Sequence, residues 1–478
     1  MRYGYNSIIK LLYNKWSEQK DKTAVVCSDK EYTYEDLILL VQEQYKKLIT
    51  FTKNPHHTVA IECDRTIYTL ATLFACIKCR RPFLLLDKGS EKQKEYAMRL
   101  GNPYLLYSEC SFHLNNEFQA CEPLKDIAYI IFTSGSLGNP KGICISASSF
   151  FHAIKTLPES LEFQKEESVL SISNVQFDIF LLETVVALCN GMTVFLLDDN
   201  DIKNTRNIKQ QLEITKASII QMVPSKLLMF MHDDPELRSF RFVRKIILGG
   251  EMLQPYMVNA IKSNTTAALY HLYGLTEDTI WTTVQKIEDE KDIHIGQCIN
   301  GHILMVLNEN KQPAKFGEEG ILYIGGRCLL AKSINDTRQY IDYKLNNRSI
   351  RLINSGDKVY LDHTGKIRLL GRIDYIKKVS GHLINLIEIE DMASQISGVF
   401  PIIAQLFKNK ADKNVLCLYF VSCEDIDLNS IKKKVEAALP KFLWPCHCFL
   451  VQQIEYLPSG KINRNSAFYY EKFKERRI

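Results

Sequence analysis

Tyr129-Ile-Ile-Phe-Thr-Ser-Gly-Ser-Leu-Gly-Asn-Pro-Lys-Gly142 decides how this chain is read. The apolar, aromatic run Ile127–Phe132 reads as a buried strand. The residues that follow, Thr133, Ser134, Gly135, Ser136, Leu137, Gly138, Asn139, Pro140 and Lys141, read as a loop. Glycines let backbone approach a ligand closely and aim several N–H groups at one anion. Hydroxyls add donors and Lys141 adds positive charge, which is the chemistry needed to hold a polyphosphate. The stretch is not G-x-x-x-x-G-K-[ST], because Gly142 follows the lysine. Taken alone, it also fits a mobile polar surface loop.

The rest of the chain sets the bounds. Its 478 residues suffice for a large core and more than one domain. Sixty basic and 55 acidic residues leave a net charge of only +5, which argues for neither nucleic acid nor a membrane surface as partner. The 14 cysteines form no disulfide-like or zinc-like framework. Cys76 and Cys79 stand as an isolated C-x-x-C in a helical run and read as ordinary thiols. No signal-peptide core and no window of eighteen uncharged apolar residues is present, so a cytoplasmic location is expected.

Strand and helix patterns alternate along most of the chain. Ser7–Trp16 reads as a helix, followed by strands at Thr23–Cys27 and Glu31–Tyr34 and a helix at Glu35–Phe51. Strand Thr58–Cys63, helix Thr66–Lys78, strand Pro82–Asp87 and a helix from Glu91 come next. Further strands are expected at Ser168–Ser171, Thr193–Leu197, Ala217–Val223 and Lys245–Leu248. This alternation predicts an α/β protein with largely parallel sheets. From about Gly296 short strands dominate, and a smaller α+β pattern follows Asp374. The expected domains are 1–373, a large N-terminal domain of packed mixed sheets and helices, and 374–478, a small mobile α+β C-terminal domain.

Five stretches, in this order, resemble the adenylate-forming enzymes: Tyr129–Gly142, Tyr273–Thr279, Ser355–Asp357, Gly371–Glu390 and Pro458–Arg464. The nearest likeness is to the amino-acid adenylation domains of nonribosomal peptide synthesis. Tyr32-Thr-Tyr-Glu-Asp-Leu37, Pro82-Phe-Leu-Leu-Leu-Asp87 and Leu439-Pro-Lys-Phe-Leu-Trp-Pro445 agree with it. The resemblance implies that an acid and ATP give an acyl-AMP and pyrophosphate, with Mg²⁺ as cofactor.

Two anions must meet in that reaction, so aligned donors and positive charge must offset their repulsion. By resemblance, Thr133, Ser134, Gly135, Ser136, Gly138 and Lys141 hold the β- and γ-phosphates. Tyr273 stacks on adenine, Thr276 bonds the α-phosphate, and Glu277 holds the metal directly or through water. Thr276-Glu-Asp278 also fits a helix N-terminus with a capping threonine and an acidic first turn, and the two readings are compatible. Asp357 accepts the ribose hydroxyls in the family reading and is a turn aspartate in the plainer one. Arg372 adds a contact to ribose or α-phosphate, Asp374 matches the hinge, and Lys461 matches the lysine that bridges carboxylate and α-phosphate.

The chain departs from the family pattern in several places. Ala147 stands where a histidine or aromatic is common, and Ile353-Asn-Ser-Gly-Asp357 replaces Tyr-x-Thr-Gly-Asp. Ser380 and Leu383 replace arginines, Asn385 replaces a glutamate, and the stretch near Leu329–Lys332 is degraded. These changes touch the surface of the second, thiol-transfer step and peripheral nucleotide contacts, and leave the core adenylation set intact.

Asp178, in Gln176-Phe-Asp-Ile-Phe180, matches the aspartate that pairs with a substrate α-ammonium group; local sequence equally allows a helix N-cap for Ile179–Leu188. The other pocket positions carried over are Ile179, Leu182, Gln221, Ile247, Gly249, Leu272, Ile280 and Trp281. They describe an apolar pocket with one amide and one indole, which disfavours a charged substrate side chain. The Leu272…Ile280-Trp281 pattern resembles cysteine-activating pockets, while Gln221 suits serine or glutamine. The alternatives are an acyl-CoA or aryl-acid ligase of the same superfamily and a degenerate binding relative. The expected partners are a small or medium neutral amino acid and a separate acyl or peptidyl carrier protein acting in trans. Leu248-Gly-Gly250 is followed by Glu251 rather than a carrier serine site. The basic tail Lys472, Lys474, Arg476 and Arg477 reads as a solvated segment or a steering patch for an acidic carrier.

Overall fold

A computed structural model describes residues 4–62, 64–86, 88, 91–120, 124–133, 141–335, 340–345, 348–373, 376–379, 382–397, 399, 401–408, 414–421, 426–451, 461–464 and 469. The chain forms two compact units. The first comprises Met1–Pro224, Phe230–Met305 and Tyr323–Ser355. The second comprises Ser225–Met229, Val306–Leu322 and Gly356–Ile478.

Two large sheets organise the first unit. One runs Gln297–Cys298, Thr283–Lys286, Ala268–Tyr273, Lys245–Gly249, Ile219–Met222, Ser168–Ser171, Thr193–Leu196, Thr23–Cys27, Lys30–Thr33. Its central strands pair parallel and its outer ones antiparallel. The other runs Lys332–Ile334, Lys141–Ser146, Ile127–Thr133, Phe83–Leu86, Val59–Glu62, Leu105–Ser108, Ser111–Leu114. Its central pairs are again parallel, with antiparallel pairs toward both edges. Strands such as Phe83–Leu86 are buried along their whole length, as sheets covered on both faces require.

The helices carry the expected punctuation. Tyr34–Phe51 starts with a capping box between Thr33 and Asp36. Ile67–Cys79 is capped by Thr66 and stops where Arg80 turns left-handed. That helix is buried almost all round, with Cys76 inside and Cys79 half-buried. Among the described residues, no helix is long and apolar enough to cross a membrane.

In the second unit, Ile402–Lys408 pairs antiparallel with Asn414–Val421, which pairs parallel with His447–Val451. Helices Leu386–Ser397 and Leu428–Ala438 accompany this sheet, and Leu386, Ile389, Ala393, Leu418 and Val435 belong to its core. Ile376–Val379 forms a hairpin with His382–Asn385.

Candidate active site

The strand Ile127–Thr133 delivers Thr133 to the start of the quoted loop, and Lys141 opens the return strand as its Cα partner. The Thr133 hydroxyl is buried without a hydrogen-bond partner among the described residues. Ser134, Gly135, Ser136 and Gly138 lie outside the described residues. Lys141 is buried, and its Nζ sits 2.5 Å from Glu277 Oε1. The side chains of the pair are only 7% and 5% exposed, so neither charge has water to replace the other.

Glu277 sits on the turn Thr276–Asp278, which follows the strand Ala268–Tyr273. The expectation of a helix N-terminus here is not met. The segment is a single three-residue 3₁₀ turn, and Thr276 makes no cap. The next two residues explain the stop: Thr279 and Ile280 both have left-handed backbones, with φ of 56° and 73°. β-branched residues rarely adopt that conformation, at a cost of order 1–3 kcal/mol each. Gly274 makes the turn possible, since a Cβ there would lie 2.8 Å from Trp281 Cα and 2.9 Å from Thr282 N. Tyr273 stands half-buried at the strand end.

Four neighbours hold this turn in place. The Thr279 hydroxyl donates to the Cys328 carbonyl at 2.5 Å, and the Leu330 N–H donates to the Glu277 carbonyl at 2.8 Å. Asp278 Oδ2 accepts from His302 Nδ1 at 2.6 Å and from Thr282 Oγ1 at 2.7 Å. Burial pushes the Asp278 carboxyl up, and the bond from His302 opposes the rise. Asp278 was legible as part of an acidic pair; nothing in the sequence pointed to His302.

The Ile280 N–H donates to Asp178 Oδ2 at 3.2 Å, which brings Asp178 and the Glu277 turn together. Asp178 occupies the N-cap position of Ile179–Leu181 yet makes no side-chain capping bond, so the cap reading does not describe it. The helix expected over Ile179–Leu188 is interrupted: Leu182–Val186 is a π-helix between two short α segments. Burial pushes the Asp178 carboxyl up to about 7, while the Ile280 N–H pulls it down and the Glu277 charge raises it. The Tyr129 hydroxyl, buried and without a partner among the described residues, is raised by its burial and then by Asp178.

The segment leading to Asp178 is fixed by a buried polar network that the sequence did not announce. Glu183 Oε2 accepts from Ser171 Oγ and from the N–H groups of Ile172 and Ser173. Arg65 donates to the carbonyls of Ser171, Ser173 and Leu197.

Of the other predicted pocket residues, Gln221, Ile247, Gly249 and Leu272 lie on one sheet face, Ile280 and Trp281 lie at the strained segment, and Ile179 and Leu182 lie on the interrupted helix. Gln221 is the Cα partner of Ile247, and Gly249 of Leu272, on adjacent parallel strands. The Trp281 ring packs on Gly249, where a Cβ would lie 2.6 Å from the indole. Both amide atoms of Gln221 and the Trp281 Nε1 are buried without partners among the described residues. Ile179 is half-buried, and Leu182 and Ile280 are buried.

In the second unit, Asp357 is buried and Cα-paired with Arg372, whose guanidinium lies 3.6 Å from its carboxylate. Lys461 is half-buried, and Asp374 lies outside the described residues. Among the described residues, no group of three or more His, Cys, Asp and Glu side chains gathers to hold a metal. A single carboxylate such as Glu277 would suit magnesium, which takes one or two carboxylates and fills its shell with phosphate and water.

A family model described as AMP-binding enzyme matches residues 84–332, just over half of the chain. Surfactin synthase subunit 2 of Bacillus subtilis (strain 168) is 26% identical over 92% of this chain, and the chain spans 13% of that protein's length. A four-domain nonribosomal peptide synthetase solved with AMP and glycine superposes with a TM-score of 0.86 at 22% identity, over 97% of this chain and 37% of that one. The o-succinylbenzoate coenzyme A synthetase of Bacillus subtilis, solved with ATP and magnesium, gives 0.78 at 16% identity over 95% and 98%. At these identities the solved structures speak for the fold, large and small subdomains included. With the family match, they identify the chain as a member of the AMP-binding enzymes, the adenylate-forming superfamily, with nonribosomal peptide synthetases among its relatives.

Proposed function

We propose that this chain activates an amino acid as its aminoacyl adenylate and passes the aminoacyl group to the phosphopantetheine thiol of a carrier protein. The observation that carries this reading is Asp178. It is a buried carboxyl pushed up to about 7, and among the described residues no cation pairs with it. A substrate ammonium group would supply that cation, and ionised Asp178 would then be stable.

In the first step a substrate carboxylate oxygen attacks the α-phosphorus of ATP. The bond to the β-phosphate oxygen breaks, and pyrophosphate leaves with the electron pair. Lys141 turns from Glu277 to the β- and γ-phosphates, while Thr276 bonds the α-phosphate. Glu277, so released, would hold magnesium, which when bound offsets phosphate charge. Lys461 adds positive charge between the two reacting anions, and Asp357 accepts from ribose beside Arg372. In the second step a thiol sulfur attacks the carbonyl carbon, AMP leaves, and the thiol proton is lost. Asp374 would serve as the hinge between the two steps.

The unpartnered Gln221 amide and Trp281 N–H favour a substrate side chain that can hydrogen-bond. The test is ATP–pyrophosphate exchange across the amino acids, including cysteine, serine and glutamine, and across aryl and fatty acids. Exchange with one or a few neutral amino acids supports the reading. Exchange only with acids lacking an amine, or thioester formation on coenzyme A and on no carrier, overturns it.

A further inference from the structure

We propose that Asp278 and His302 are positioning residues: their buried hydrogen bond holds the strained turn that aims Glu277. The inference rests on the reading of Glu277 as the magnesium-binding carboxylate. Glu277 and Asp278 are neighbours on one three-residue turn with opposite duties. Glu277 faces Lys141, whereas Asp278 is anchored through Oδ2 to His302 Nδ1 and Thr282 Oγ1. The side chains of Asp278 and His302 are 0% and 1% exposed.

The turn needs an anchor. Thr279 and Ile280 are consecutive β-branched residues with left-handed backbones, a conformation that persists only where the surroundings over-determine it. The Thr279 and Leu330 bonds fix the backbone, and the Asp278–His302 pair fixes the side chain between Glu277 and Thr279. Stability alone is a poor reason for this pair. Asp278 Oδ1 is buried with no partner among the described residues, a cost that an apolar pair of similar volume would avoid. His302 reaches the turn from the strand His302–Leu307, so its hold on Asp278 links two segments distant in sequence.

The experiment measures ATP affinity by equilibrium titration, with and without Mg²⁺, for wild type, His302→Asn and His302→Leu, with thermal midpoints alongside. Asparagine can place an N–H where Nδ1 stands; leucine cannot. The expected result is that His302→Leu loses about tenfold of the magnesium-dependent gain in ATP affinity while its magnesium-free affinity stays within about twofold. His302→Asn should keep the gain within about threefold. A purely structural role would lower the midpoint and move both affinities together, and that outcome overturns the proposal. So does a leucine variant with the full gain, or an asparagine variant that loses as much as leucine. If the leucine variant fails to fold, His302→Gln replaces it, because its longer side chain carries the amide past Asp278; a full gain there is equally contrary. The titration needs no amino acid, so absence of amino-acid-dependent exchange would refute the proposed substrate without touching this inference. A wild-type protein with no magnesium-dependent gain would refute this inference directly.

Discussion

Replacing Asp178 by asparagine should stabilise the substrate-free protein, and increasingly so as pH rises. The folded carboxyl is pushed from its ordinary 3.8 to about 7 by burial. A raised value means that the folded state binds the proton more tightly than the unfolded state does. Its contribution is therefore fully present below pH 4 and is lost as pH rises through 7. Three units correspond to roughly 4 kcal/mol of lost stability at pH 8, of which about half is already lost at pH 5.5. The asparagine side chain cannot ionise, yet its oxygen can still accept from Ile280 N–H. The advantage of the variant over wild type should thus grow by about 2 kcal/mol between pH 5.5 and 8, a shift of a few degrees in thermal midpoint. The assay is a pair of thermal melts in matched buffers across that range. Saturating amino acid should then raise the wild-type midpoint at pH 8 and leave the variant unmoved. Parallel pH curves for the two proteins would refute the claim that Asp178 is an unpaired buried carboxyl.

Three further outcomes follow from the same geometry. Lys141→Met removes the buried cation beside Glu277, so it should cost about 3–5 kcal/mol of stability by denaturant titration, with Glu277→Gln in the same protein recovering part of it. Gly274→Ala drives a methyl group into the backbone of Trp281 and Thr282; it should cost about 1–3 kcal/mol and more than tenfold in pyrophosphate exchange, and an unchanged melt would contradict the close approach. Lys461→Ala should leave the melting curve in place while slowing adenylate formation by about two orders of magnitude or more; a wild-type rate would remove Lys461 from the reaction.

Much of the frame could be read from the sequence because its signals are local. The strands Thr23–Cys27 and Ser168–Ser171 have the expected bounds, and the helix Tyr34–Phe51 begins one residue earlier than expected, at a capping box written in Thr33 and Asp36. Lys141, Glu277 and Asp178 were legible because each stands in a motif. What escaped was the tertiary part. The Lys141–Glu277 pair joins residues 136 positions apart, and no pattern announces it. Thr276–Asp278 has a helix-start composition, but the left-handed Thr279 and Ile280, held by Cys328 and His302, override that local preference. The π-helix at Leu182–Val186 hides in the same way, since its residues suit an α-helix equally well.

The central claim is that Asp178 is a carboxyl raised to about 7, part protonated at neutral pH, that ionises fully to receive a substrate ammonium group. Calorimetric titration of the amino acid identified by exchange, at pH 7 in two buffers of different ionisation enthalpy, tests it most directly. With a carboxyl at about 7, binding should release roughly half a proton per site, rising as pH falls toward 6, and Asp178→Asn should release none. Binding enthalpies that do not depend on the buffer, or equal proton release from wild type and variant, would contradict the account.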